Sequence, residues 1–593
     1  MVASSKPWVT LMASLLTLST TVVAKDWEGP AYPTQSFFSQ PLPIPGVKAP
    51  KYTFTNPQTG GPIDYYELEI KPFQRKQYPN LAKSARMVGY DGQFPGPTID
   101  IEQGRESVVR YINNGDRPAS THLHGSYSRA PFDGYADDHI DVGQYKDYYY
   151  PNQQNARTLW YHDHVVDHTA ENVYFGMAGL YLLHDQHERD LALPTGKYDI
   201  PLLIMARQYN SDGTLWDPEK NDEDTSIYGD VVEVNGQPWP NLKVEPRKYR
   251  FRLLDGGISR TFKLFLNADQ KNNQRVPFYV IGSDCGLLAQ SVVTDLVTIS
   301  IAERWDVVID FSQFAGQNVT LRNDHEEVNP DTEYLGTDRV MRFIVGTTVS
   351  DSSNNGAVPV QLRDVPFPPQ DQSVNTRHFE FGRGGSNWVI NGIGWHDTAD
   401  RLLAAPQRGS IEIWELENGG GGWSHPIHVH LVDFQVISRT GSDRSVLPYE
   451  SAAQQDVVWL GPGETVRVIA RFSPWPGLYM FHCHNLIHED HEMLAEFNVT
   501  QVADLDLNEQ NLFIDPLAPE YAPVGFAQGD LAAGTNAFAR DAVAEKVAWF
   551  ASLNAYADAA VVEEKLVEYW EGKAAAEKRD GGFGFLLRSY CRL

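Results

Sequence analysis

The sequence predicts an all-β protein of several sandwiches or barrels in series, closed by a partly helical C-terminal tail. Three observations predict it. Short runs of alternating apolar and polar residues recur, as in "ESVVRYIN" (106–113), "KYRFRLLD" (248–255), "IEIWEL" (411–416) and "TVRVIARF" (465–472). Each suits a half-buried strand. Pro- and Gly-containing turns separate these runs, and between about 45 and 505 there is little convincing amphipathic helix. From about 535 the texture becomes Ala- and Glu-rich with helical spacing, broken near Asn554.

The elements follow in order. Lys6, an apolar stretch from Trp8 to Ala24 dotted with Ser and Thr, and the small residues Val22 and Ala24 read as a secretory signal over 1–24. A membrane anchor is the other reading; a span of about 17 residues with no basic flank is short for one. Residues 25–44 read as a propeptide or N-terminal arm. The polar stretches "HDQHERDLALPTGKYD" (184–199) and "VSDSSNNGAVPVQLRDVPFPPQDQ" (349–372) read as linkers. They divide the strand-rich region into units over 45–188, 189–355 and 356–505, with a tail over 506–593. A soft expectation of roughly 100–200 residues per domain agrees with that division, and a chain of 593 residues buries a large core without disulfide staples. In the tail, Lys578-Arg579 is either a processing site or an ordinary exposed pair.

Composition narrows the function. A net charge of −28 argues against a general nucleic-acid binder, which needs a basic face, and favours an acidic or extracellular setting. Asn318 and Asn498 each open an Asn-Val-Thr tripeptide, a glycan acceptor in a secreted chain. The three cysteines are no disulfide framework. Cys285 and Cys591 are paired or free, whereas Cys483 sits among metal-ligand residue types.

The histidines carry the chemistry. Of 18, ten fall in four clusters: "THLHG" (His122, His124), "WYHDH" (His162, His164), "HPIHVH" (His425, His428, His430) and "HCHNLIH" (His482, His484, His488). On a strand, residues i and i+2 share a face, so each His-x-His aims two imidazoles at one spot. Neutral imidazole is a common metal ligand. One such pair alone is weak evidence, but four leave little room for satisfied core histidines. Two clusters lie in the first third and two in the last, in the same layout, as if one unit were copied. The middle third has only His325. A single catalytic zinc needs about three ligands and an open position, and calcium or magnesium want oxygens. Two histidines, a thiolate and a weak axial methionine make a blue-copper site, and "MFHCHNLIHEDHEM" (480–493) supplies Cys483, His488 and Met493.

These four motifs, in this order over about 45–505, resemble those of the blue multicopper oxidases. The resemblance implies three cupredoxin-like Greek-key domains, the middle one a copper-free spacer, and four copper ions. It implies a type 1 copper on His425, Cys483, His488 and Met493. It implies a type 2 copper on His122 and His428. It implies a type 3 pair on His124, His162, His164, His430, His482 and His484. Cys483, between His482 and His484, then joins the electron-accepting site to the cluster that reduces dioxygen; Asp163 occupies the matching place in the first unit, so no second blue site is expected. Asp133, in "APFDGYADD", and Glu489 are candidate proton donors; for each the alternative is an ordinary surface carboxylate. Trp423, two residues before His425, contacts either the substrate or the core.

Met493 and the wording "WSHPIHVHLVDF", "SRAPFDG" and "HCHNLIHEDHEM" are similar to fungal bilirubin oxidases and their spore-coat laccase relatives. The resemblance therefore implies oxidation of bilirubin to biliverdin, and of phenols and aminophenols, with dioxygen reduced to water. A laccase-type phenol oxidase with no role for bilirubin is the alternative. A copper-binding protein without turnover is the alternative from another class. The implied partners are a small reductant and dioxygen, with no nucleic acid and no membrane, and the chain is expected to be a secreted monomer.

Overall fold

The alternating runs form strands, and these pair into three successive two-sheet units. The computed structural model describes residues 37–324, 334, 336–505, 507, 509, 511–556 and 559–590. The signal expected over 1–24, most of the 25–44 arm, His325 and Cys591 lie outside the described residues.

In the first unit, strands Tyr52–Thr55, Pro62–Arg75, Glu106–Asn113 and Gln144–Tyr150 form one sheet, joined by Ala85–Tyr90. Gly96–Glu102, Ala178–His184, Arg157–Asp163 and Thr121–His124 form the other. The middle unit has a seven-stranded sheet containing Asp199–Arg207, Lys248–Asp255 and Arg304–Asp310, and a six-stranded sheet containing Phe262–Ala268 and Asn318–Asn323. The third unit pairs two five-stranded sheets. One includes Asn375–Gly384, Asn387–Ile390, Ile411–Asn418 and Thr465–Arg471; the other includes His425–Val429, Gly477–Cys483 and Leu494–Val499. Units one and three share one apolar cluster, which runs from Ile63 and Leu123 through Ile427 and Cys483 to Phe550 in the tail.

The half-buried expectation holds over the first half of Thr465–Arg471, where buried Val466 and Val468 alternate with partly exposed Thr465 and Arg467, but Ile469 is buried as well, against Ile411 and Ile413. It fails for Glu106–Asn113, where every residue is buried. The outward face of that strand is covered by the tail: Arg110 Nη1 donates to Ala537 O at 2.6 Å, and Ile112 packs with Phe538. Lys248–Asp255 is likewise buried almost throughout. Its outward arginines form a buried ion-pair network, Arg250 with Glu188 and Asp306, Arg252 with Asp199.

The tail is helical where its texture changes, over Gln528–Ala533, Arg540–Ser552 and Ala559–Tyr590. The break falls at the expected residue: Asn554 takes φ 52°, the left-handed conformation that asparagine tolerates. Phe538, Val543, Val547, Phe550 and Leu566 are buried against units one and three. Each such burial contributes roughly 1.5–3 kcal/mol relative to exposure.

The repeat seen in the sequence is a repeat in space. Thr121–His124 pairs antiparallel with Arg157–Asp163, placing His122 opposite His162. His425–Val429 pairs antiparallel with Gly477–Cys483, placing His428 opposite His482. Beyond each strand end, one histidine is held by the partner strand's unit: His164 N donates to Ser120 O and His484 N to Pro426 O, both at 2.6 Å.

Candidate metal centre

Cys483 ends the strand Gly477–Cys483, and the neighbouring strand begins at His425. The short helix Leu486–Asp490 brings His488 back onto the same spot. Cys483 Sγ lies 3.4 Å from His425 Nδ1 and 3.7 Å from His488 Nδ1, and the two Nδ1 atoms are 3.2 Å apart. Met493 returns to this loop. Its carbonyl accepts from Cys483 N at 3.1 Å, its N–H donates to His488 O at 3.0 Å, and its side chain is fully buried in the same cluster as Cys483. Asn485 N–H points at the sulfur at 3.4 Å, a donor suited to a thiolate.

The other eight histidines converge between units one and three. Main-chain carbonyls fix several tautomers, because a carbonyl only accepts. His122 Nδ1–H donates to Asp133 O, His428 Nδ1–H to Asp456 O at 2.8 Å, and His162 Nδ1–H to Asp163 O at 2.8 Å. Their Nε2 lone pairs therefore face inward, and those of His122 and His428 meet no hydrogen-bond partner. Both ring nitrogens of His484 are also buried and unpartnered. His164 Nε2 and His430 Nε2 lie 3.1 and 3.3 Å from His482 Nε2. His124 is turned the other way, with Nε2 on Asp456 Oδ1 at 3.1 Å and Nδ1 towards His162 Nε2 at 3.3 Å. The donors fall into compact groups: His122 with His124 and His428; His124 with His162 and His484; His164 with His430 and His482; and His425 with Cys483 and His488.

Burial drives the electrostatics. It pushes His122, His124, His162, His428, His430 and His484 well below the ordinary imidazole value, with neighbouring imidazoles adding to the shift. It lowers His164 to about 4 and His425 to about 3. All are then neutral at neutral pH, the form that binds a metal. The buried, unpartnered Nε2 lone pairs of His122 and His428, with the unpartnered ring of His484, are costly unless cations sit among them. Imidazole and thiolate donors of this kind suit copper.

Both expected carboxylates are at the site. Asp133 is buried, with Oδ2 2.8 Å from His430 Nδ1, and burial pushes its carboxyl well up. Glu489 lies between His482 Nδ1 at 2.8 Å and His164 Nδ1 at 3.5 Å. Burial works to raise it, but those two rings outweigh burial and hold it below the ordinary value. Trp423 precedes the strand that starts at His425, so a shared strand face does not place it there. Its half-buried ring nonetheless meets His488 at 6.0 Å and Trp388 at 5.8 Å.

Sequence reasoning missed several residues. Trp388 stacks on His488 at 3.7 Å and donates from Nε1 to Asp224 O. Asp456 holds His124 and His428 and is clamped by Arg304 through two 2.6 Å hydrogen bonds. Asn485 Nδ2 bonds Ser226 Oγ at 2.9 Å, and the Thr225 backbone bonds the His488 ring. Arg304, Asp224, Thr225 and Ser226 all belong to the middle unit, which is therefore more than the spacer expected of it. No motif marks these residues; only the folded contacts do.

One site built from a cysteine and two histidines, and one built from eight histidines, both carried by cupredoxin-like sandwiches, define an electron-transferring copper protein. Residues 73–188 and 366–502 both match the multicopper oxidase family. The chain is 51% identical over 540 residues to the bilirubin oxidase of Albifimbria verrucaria, covering 89% of this chain and 92% of that protein. It is 32% identical to a laccase of Bacillus subtilis, covering 78% and 98%. Among solved structures, the McoA multicopper oxidase of Aquifex aeolicus superposes with a TM-score of 0.68 at 27% identity, covering 78% of this chain and 99% of that one. The chain belongs to the multicopper oxidases. Its His and Cys clusters fit one type 1 copper and a trinuclear copper cluster.

Proposed function

We propose that the protein oxidises bilirubin, and phenolic and aminophenolic donors, one electron at a time at the Cys483 site and reduces dioxygen to water at the eight-histidine site. His425, Cys483 and His488, with Met493, would hold the type 1 ion; His122 and His428 would hold the type 2 ion; His124, His162, His164, His430, His482 and His484 would hold the type 3 pair. Copper bound there supplies one-electron acceptance at the thiolate and four-electron delivery to dioxygen. The observation that carries this reading is the junction at the end of one strand: Cys483 belongs to the first site, while His482 and His484 on either side belong to two groups of the second.

The protein's own residues manage protons and position. Reducing one dioxygen to two waters takes four electrons and four protons. Asp133, whose carboxyl burial pushes up, and Glu489, set between His482 and His164, are the candidate proton donors. Asp456 and Arg304 fix the orientation of His124 and His428. The 51% identity to a protein named bilirubin oxidase supports bilirubin as the donor, and the likeness to laccases supports phenols.

No helix of the described residues is long and apolar enough to cross a membrane. The expected signal over 1–24 supports secretion, which N-terminal sequencing of protein from culture medium tests; the monomer expected from the sequence is tested by sedimentation.

The decisive experiment replaces Cys483 with Ser. Colour and turnover disappear while the remaining copper stays bound. A variant that still consumes oxygen with a phenol refutes the junction. A wild-type protein that binds copper, turns blue and consumes no oxygen refutes the oxidase reading. Side-by-side kcat/KM for bilirubin, a phenol and ferrous iron separates bilirubin oxidation from laccase-type activity.

A further inference from the structure

The hairpin Asn375–Gly384 and Asn387–Ile390 pairs Arg383 directly opposite Trp388. Trp388 is fully buried, and one face of its indole lies on the His488 ring with centroids 3.7 Å apart and planes at 27°. Its edge meets His425 at 5.6 Å. The other face carries the Arg383 guanidinium, 3.6 Å from the ring centroid. Guanidinium, indole and imidazole form a stack that begins at the surface and ends on a residue of the Cys483 site.

Arg383 is exposed. One of its N–H groups donates to Ser386 O at 2.7 Å, which steadies the head without neutralising it. Its charged neighbour is the exposed Asp224 of the middle unit, and among the described residues no carboxylate forms an ion pair with it. In most of this protein arginines are consumed by carboxylates, as Arg110, Arg157, Arg250, Arg252 and Arg304 are. A stacked, unpaired guanidinium presents a planar fork that matches a carboxylate. It does so on a chain of net charge −28, whose general field repels anions.

We propose that Arg383 is the carboxylate anchor of the electron-accepting site, with Trp388 as the positioning residue that holds it there. The preferred reductants are then aromatic molecules carrying a carboxylate, the class to which the bilirubin dianion belongs. This rests on the assignment of the Cys483 site as the place where substrate gives up electrons.

The test compares a donor with its uncharged twin, syringate and methyl syringate. Arg383→Gln should lower kcat/KM for syringate about tenfold, the loss of one charge-assisted pair, and change methyl syringate less than twofold. Arg383→Lys should restore part of the syringate rate, because charge returns without the fork. Asp224→Asn should move syringate the opposite way. The wild-type preference for syringate should shrink as salt rises, since the pair is exposed. A binding measurement removes turnover from the question: in a Cys483→Ser background, bilirubin titrated by tryptophan quenching should bind about tenfold more weakly once Arg383 is Gln. Equal losses on both syringate forms, or an unchanged bilirubin Kd, overturn the proposal. If wild-type protein ignores bilirubin but keeps the Arg383-dependent preference for syringate, the bilirubin reading fails and the carboxylate anchor stands.

Discussion

Asp133 touches two imidazoles at once. Its carbonyl accepts from His122 Nδ1, and its Oδ2 meets His430 Nδ1 at 2.8 Å. The following Gly134 has φ 82°, and a Cβ there would lie 2.4 Å from Thr121 O, so only glycine lets the turn close on the His122 strand. Asp133→Asn keeps the shape and removes the acid. Turnover with dioxygen should fall about a hundredfold, while the blue colour and the anaerobic bleaching of that colour by a phenol stay as in wild type. Stopped-flow mixing measures both steps, and an undiminished oxygen step refutes the role. At the other site, with Met493 as the proposed type 1 ligand, Met493→Leu would remove a thioether donor that tunes the potential downward. Redox titration of the blue band should give a higher potential; an equal or lower one means Met493 is not axial.

Two short helices, Thr169–Phe175 and Leu486–Asp490, tie units one and three together. Asp490 accepts from Thr169 N at 2.9 Å and Ala170 N at 2.8 Å, capping the first helix from the second. The same first helix carries Glu171, whose carboxyl burial pushes up to about 8, helped by Glu219 and opposed by Arg117. Its folded value lies above its ordinary value of 4.5, so the folded state holds a proton that the unfolded state gives up. The stability from that proton is fully present below pH 4.5 and is lost as pH rises through 8. Glu171→Gln cannot ionise and keeps it. Tm of the variant minus wild type should be near zero at pH 5 and positive at pH 9; a constant offset across that range counts against the shift. Elements of this kind mark the limit of what the chain reveals locally. The His-x-His pairs were legible because strand period 2 is a local property. Trp388, Asp456 and Arg304 were not, because each acts on a residue far along the chain and nothing near it in sequence announces the contact. The burial of Glu106–Asn113 was hidden for the same reason: its cover comes from the tail.

At the scale of the molecule, the cluster site lies where units one and three meet, and beyond their shared apolar cluster and the two short helices, two further things hold them together. The middle unit reaches across with Arg304, and the tail lies over both partners. The tail is coupled to the site through the turn that carries Asp133. Arg129 Nε donates to Ala555 O at 2.8 Å, and Tyr556 OH donates to Tyr149 O at 2.7 Å. Phe132 packs against Phe550 at 5.6 Å and Tyr521 at 5.1 Å. Phe550 is only 1% exposed, so Phe550→Ala opens a cavity beneath this turn at a cost of about 3–5 kcal/mol. Denaturant unfolding should show a lower midpoint. Because the cavity adjoins Phe132, the neighbour of Asp133, the oxygen step should suffer while the blue band keeps its position. Trp570→Ala is the control on the same tail, since that residue packs on Val502 and Leu566 and bonds Arg408 O, reaching Arg129 and the Asp133 turn only indirectly through Arg408 and Glu509. It should lower stability without a selective loss of the oxygen step. If both variants affect the oxygen step alike, the tail stabilises the fold as a whole and does not brace the Asp133 turn in particular.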